Sequence, residues 1–225
     1  MNSNLQYRWI KTGAYCGLLA SLIYPVMITI NVPLFAGLIL VGLFGFFLAV
    51  ASIGLYHLLA LNRKTVTVLI AAVFNIIASA IFNMMVIVQL AVKQTMRDYL
   101  SDTGDEPTRD MLNWIWRSVD KVHLGLDISW DFYLCAGSLL FAINMLRHPR
   151  FGMVFGGAGI VISVFLLGLN LYSFPIPPGQ SGLLDLGPVL GLWYLVVAIQ
   201  TFRSLRWVKE KLGIKVGDTI FNSNP

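Results

Sequence analysis

Apolar residues fall into six long runs, at 10–31, 34–61, 65–92, 122–146, 151–174 and 183–202, separated by polar or turn-forming stretches. Each run holds about 20 residues or more, and at ~1.5 Å per residue a helix of that length crosses the ~30 Å hydrocarbon core of a bilayer. The chain is therefore predicted to be all-α, a polytopic membrane protein built as a six-transmembrane-helix bundle. Pro33 leaves only a tight hairpin between the first two runs, so a five-span arrangement is the main competitor. The first run also invites a reading as a cleaved leader, because Arg8 and Lys11 precede it. It is longer than the ~7–15-residue core of a signal peptide and no clean small-x-small site follows, so it is kept as a span.

The charges between the runs decide among these arrangements, since Lys and Arg near span ends favour the cytoplasmic side. Arg8 and Lys11 precede the first run, Arg63 and Lys64 join the second to the third, and Arg147 and Arg150 join the fourth to the fifth. Arg203, Arg206, Lys209, Lys211 and Lys215 follow the sixth. The alternate connections are uncharged at 31–33 and 173–184, whereas 93–121 is rich in acid, with Asp98, Asp102, Asp105, Glu106, Asp110 and Asp120. All basic connections share one side only with six spans and both termini cytoplasmic. The expected organisation is a bundle over 1–206, followed by a basic juxtamembrane helix at 207–214 and a polar tail at 222–225 within a C-terminal segment, 207–225.

The outer connection 93–121 opens with a turn-like stretch containing Gly104 and Pro107. Leu112, Ile115, Trp116 and Val119 then recur at helical spacing, predicting an outer-face amphipathic helix that starts near Pro107 or Thr108. No proline lies between Met111 and Leu146, so this helix can run on into the fourth span, with Gly125 the expected bend. Gly37, Gly42, Gly45 and Gly54 mark the second run, and Gly152 and Gly156 form a small-xxx-small pair at the start of the fifth that suits close helix packing. The two halves of the chain share no visible internal repeat.

Composition agrees with this placement and narrows the partners. Hydrophobic residues make up 57 % of the chain and charged residues only 12 %, against about 25 % charged in soluble proteins. The mean hydropathy is +0.74. The lipid bilayer is the first expected partner, and the inner (plasma) membrane the expected location. The net charge of +5 is distributed as topology and headgroup anchors and gives no sign of a nucleic-acid partner. Cys16 and Cys135 lie inside spans, where they read as buried apolar residues and not as a disulfide. His57 reads as interfacial and His148 as solvated. No CxxC, HExxH, GxGxxG or P-loop pattern occurs, and no cofactor is called for.

The main chemical signal is in the fourth run, where His123, Asp127 and Asp131 recur at four-residue steps and so share one helical face, continued by Cys135, Ser138 and Ala142. A charged side chain at membrane depth costs about 2.5–3.5 kcal/mol on insertion scales, so these groups must point at protein, water or a counter-charge. Topology brings Asn83 of the third run, below Gln89 and in step with Asn75 and Ser79, to a similar depth, together with Asn170, Tyr172 and Ser173 at the end of the fifth and Asp185 before the sixth. An outward-facing polar pocket lined by His123, Asp127, Asp131, Asp185, Asn83 and Asn170 is thus expected. Two carboxylates one turn apart titrate as a coupled pair, which suits a proton or small-cation site. The corresponding function is proton-coupled transport or small-ligand sensing without catalysis. One alternative is a metal-assisted intramembrane hydrolase using His123, Asp127 and Asp131 as ligands. Another is a structural subunit whose glycine faces and outer helix bind a membrane-protein partner or a second copy.

Overall fold

A computed structural model describes residues 2–30, 32–102 and 105–214. Asn31, Gly104, Lys215 and the tail at 222–225, all used in the sequence reading, lie outside that set. The described residues form helices α1 (Ser3–Thr29), α2 (Leu34–Ala60), α3 (Val66–Asp102), α4 (Glu106–Met145), α5 (Gly152–Ser173), α6 (Gly187–Arg203) and α7 (Leu205–Lys211), with a 3-10 turn at Pro178–Ser181. Five of these helices are individually long and apolar enough to cross a membrane, and α6 joins them as a sixth when counted with α7, from which it is bent by 47°. The protein is a helical membrane bundle. Exposed Val154, Val161, Val164 and Phe165 on α5 give it a lipid-facing surface.

Consecutive helices pack antiparallel from α1 to α5, and α6 then lies against α1 and α5, so the six long helices close into a ring. One end of the ring gathers the basic connections. There Gln6 Nε2 donates to the His57 carbonyl (3.4 Å), Asn62 Nδ2 to the Arg147 carbonyl (3.4 Å) and Arg150 Nε to Ser204 Oγ (3.3 Å). Gln200 Nε2 also donates to the Arg150 carbonyl. The Lys209 ammonium of α7 sits 5.2 Å from the centre of the Tyr7 ring of α1. A contact between the first and last helices at one end requires an even number of crossings, which favours six over five.

The outer helix before the fourth span runs on into it as the first part of α4, as the absence of proline allowed, and the helix continues through Gly125. One boundary differs from the sequence reading. The rest of the acidic 93–121 stretch mostly prolongs α3, so α3 and α4 stand out together as a two-helix extension. From Lys93 to Asp102 and from Glu106 to Val122 this extension reaches about 14–25 Å beyond the apolar part of each helix. Asp105 caps α4, its carboxylate accepting from the Thr108 hydroxyl (2.5 Å) and backbone N–H (3.1 Å). Those two bonds hold the Asp105 carboxyl below its usual range. Lys121 Nζ donates to the Pro175 carbonyl (3.0 Å) and ties the base of the extension to the α5–α6 connection.

The glycines also sort differently. Gly13 of α1 meets Gly54 of α2 so closely that a Cβ on Gly13 would lie 2.5 Å from the Gly54 Cα. Gly152 takes a positive φ of 69° at the start of α5 and has open space beside it. It serves the turn, and the predicted Gly152–Gly156 packing pair is replaced by Gly156, against the Ala142 carbonyl, and Gly159, against the Trp193 ring.

Candidate functional site

α4 carries the expected acidic face into the ring. His123, Asp127 and Asp131 descend it one turn at a time, and Asp131 lies about 21 Å from Met145 at the basic end, hence in the opposite half of the bundle. Asp131 is only 5 % exposed. Neither a hydrogen bond nor an ion pair reaches its carboxylate from another described residue. Asp127 and Asp185 both lie within electrostatic reach of Asp131, and Asp127 is also within reach of His123. Asp185 is exposed in the segment leading into α6, where its Oδ1 accepts from the Gly187 N–H (2.9 Å). His123 is half-buried with Nε2 enclosed and unpartnered among the described residues.

Four of the six predicted site residues, His123, Asp127, Asp131 and Asp185, thus come together as an acidic cluster. The two asparagines do not bond to it. The Asn83 amide packs on Gly45 of α2, with Oδ1 buried and unpartnered, and Asn170 Nδ2 donates to the Leu166 carbonyl of its own helix (3.1 Å). The metal-ligand reading also needs correction. Among the described residues no three His, Cys, Asp or Glu side chains converge closely enough to hold a metal ion. Steps of four align His123, Asp127 and Asp131 on one face but spread them along the axis by about 6 Å each.

Sequence reasoning missed Tyr24 and Tyr194. Tyr24 of α1 lies within electrostatic reach of Asp185, Asp131 and Asp127. A Cβ on Gly187 would sit 3.2 Å from Asp185 Oδ1 and 3.7 Å from Tyr24 Oη, so carboxylate and phenol flank the start of α6 together. Tyr194 reaches from α6 toward the middle of the ring, donating to Asn75 Oδ1 (2.5 Å) on α3 and lying 2.6 Å from Ser138 Oγ on α4. Asn75 Nδ2 in turn donates to the Ala71 carbonyl (3.0 Å), and the amide rests on Gly137. A tyrosine within an apolar run is the only trace of either residue in the sequence, and it names no partner.

Beneath the acidic cluster a cavity of about 80 Å³ lies between α1, α2 and α6, with Trp130, Leu134 and Leu166 contributed by α4 and α5. Tyr24 and Gly187 line its end nearest the carboxylates, and Gly13 and Thr201 its end nearest the basic connections. The Trp130 Nε1 donor is buried without a partner among the described residues. One buried carboxyl, Asp131, with half-buried Asp127 and exposed Asp185 near it at the end of an apolar space and no counter-charge paired to it, can take up a proton or a cation. No protein-family model, curated protein or solved structure matches the chain.

Proposed function

We propose that this chain is a proton-coupled transporter of the inner (plasma) membrane that admits a small cation from the outer side, exchanging it for a proton on the acidic cluster. The observation that carries the reading is Asp131, 5 % exposed, bearing no hydrogen bond or ion pair from a described residue, and within reach of Asp127 and Asp185. An isolated carboxylate in a low-dielectric setting is unstable as a bare anion, so it binds either a proton or a positive ligand. Tyr24 is the neutral hydroxyl within reach of it, His123 stands next to Asp127 instead, and no Lys or Arg pairs with Asp131. The assignment of the acidic mouth to the outer side rests on the basic residues at the opposite end.

The test uses proteoliposomes with an acidic interior and an internal pH dye, to which Na⁺, K⁺ and organic ammonium ions are added outside in turn. The parent collapses the gradient with at least one of these cations, Asp131→Asn reduces the rate to that of empty vesicles, and Asp127→Asn slows it at least several-fold. Gradient decay equal to empty vesicles for the parent with every cation removes the reading.

A second reading is favoured by one feature of the α3–α4 extension. Met111, Trp114 and Ile115 are 64 %, 71 % and 37 % exposed on one side of α4, beyond the apolar span. Such a patch suits a membrane-protein partner or a second copy of this chain. Met111→Glu combined with Trp114→Glu then shifts the purified particle to a smaller size in native mass measurements; an unchanged mass excludes this reading.

A further inference from the structure

The cavity beneath the acidic cluster has a shape and chemistry that an inorganic cation does not need. Its lining runs from Gly13 to Tyr24 on α1, from Phe44 to Leu55 on α2 and from Gly187 to Thr201 on α6. At ~1.5 Å per residue these stretches make a bore about 16–21 Å long, yet its volume is only about 80 Å³. It is long and narrow. Small residues from three helices, among them Ala14, Gly17, Ala51, Gly191 and Ala198, set its width. The wall hydroxyls are occupied: Ser21 donates to the Gly17 carbonyl, Ser52 to Leu48 and Thr201 to Val197, each at 2.8 Å within its own helix. The bore therefore offers hydrocarbon along its length and gains most from an occupant that is itself apolar there.

Its mouth is the opposite. Tyr24 lines the bore and lies within reach of Asp185, Asp131 and Asp127. The aromatic faces of Tyr24 and Phe44, 5.8 Å apart, flank the same end. Carboxylates and aromatic faces are the groups that recognise an alkylammonium head. Three carboxyls exclude an anionic head by like-charge repulsion.

We propose that the bore binds a single-chain amphiphilic cation, its ammonium head held between Asp185, Asp131 and Tyr24 and its alkyl tail lying along α1, α2 and α6 toward Thr201. This rests on the transport reading, for which it names the substrate class. A tail-less ammonium ion leaves the apolar wall uncovered, and a fatty-acid anion meets the wrong charge.

The experiment measures equilibrium binding of radiolabelled dodecyltrimethylammonium, at submicellar concentration, to the full chain in lipid nanodiscs, with tetramethylammonium and dodecanoate as comparisons and empty nanodiscs subtracted. Saturable binding of the first ligand alone is expected, weakened at least tenfold by Asp185→Asn and by the bore-filling Ser21→Leu. Equal uptake by parent, Asp185→Asn and Ser21→Leu means partition into lipid and overturns the proposal, as does equal binding of dodecanoate. A measurement on the unaltered chain guards against misfolded variants: an alkylammonium carrying a photoreactive group at the tail end is crosslinked and the labelled peptides are mapped. Labels on Gly13, Ala14 or Val197–Thr201 support the bore, whereas labels confined to lipid-facing Val154, Val161 and Phe165 overturn it. Gradient collapse by Na⁺ or K⁺ without alkylammonium binding removes this inference and leaves proton-coupled transport standing. Saturable, Asp185-dependent binding without any gradient collapse supports the bore and removes transport.

Discussion

The Tyr194 hydroxyl joins three helices through Asn75 and Ser138, and one atom is enough to test that junction. Tyr194→Phe leaves the Asn75 carbonyl oxygen without its donor inside the bundle. Interhelical hydrogen bonds in membranes average about 0.6 kcal/mol and reach about 1.7, so a loss on the order of 1 kcal/mol is expected in denaturant unfolding of the reconstituted protein. The four-residue steps of Asn75, Ser79 and Asn83 were legible in the sequence, but their partners were not, because a helix repeat gives a face and not the neighbour that meets it. His148 is a plainer miss. It was read as solvated in a basic loop, yet it is 2 % exposed, wedged against Phe151 and Trp207, with Nδ1 accepting from the Arg150 N–H (3.2 Å). Burial, with the Arg150 charge adding to it, pushes the imidazole down to about 4 from its ordinary 6.5. Between those values the unfolded chain binds a proton that the folded one does not, so stability falls as pH drops from about 6.5 toward 4 and then levels off. The melting temperature of the parent minus that of His148→Gln, followed from pH 7.5 to 4.5, should decline through that window; a flat difference would show that His148 protonates freely in the folded state.

At the scale of the helix, the spans were legible because hydrocarbon thickness dictates their length, whereas the segments beyond the bilayer were not. The acidic stretch 93–121 lacks the apolar signal that identifies a buried helix, and polar helices stabilised by length and by each other leave little trace of that kind. The start near Pro107 and the stripe from Leu112 to Val119 were visible, and the cap proved to be Asp105; the prolongation of α3 from Lys93 to Asp102 was not. Glycines pose the same problem in another form. Gly54 and Gly42 look alike in the sequence, yet a Cβ at Gly54 would lie 2.6 Å from the Gly13 Cα and one at Gly42 would meet nothing within 4 Å. Gly54→Leu is therefore expected to destabilise the bundle by about 1–3 kcal/mol or to block its assembly, and Gly42→Ala to stay within about 0.5 kcal/mol of the parent. Unfolding midpoints of both variants in one detergent compare the two positions directly; similar values would mean that α1 and α2 do not meet at Gly13.

For the whole molecule, alternation of basic and uncharged connections predicted an even number of crossings, and the contact of Tyr7 with Lys209 supports the same count from packing alone. Single cysteines at Asn4 and Lys211 are then labelled by an impermeant maleimide from one side of the membrane and a cysteine at Asn113 from the other; Asn4 and Lys211 reacting from opposite sides would refute six spans. How the ring closes was not legible, since α1 meeting α6 is a long-range pairing that no local pattern encodes. That closure, with the serine and threonine hydroxyls of the bore wall each turned back on its own helix, bears on what the idle protein does to the cell. A dry hydrocarbon passage carries no chain of donors and acceptors along which protons hop, and such constrictions act as closed gates by dewetting. An unoccupied molecule is accordingly an electrical insulator, and overproducing it leaves the resting membrane voltage intact. Placing one carboxylate in its inner part, as in Ala198→Asp, turns the insulator into a leak that a voltage-sensitive dye registers as depolarisation.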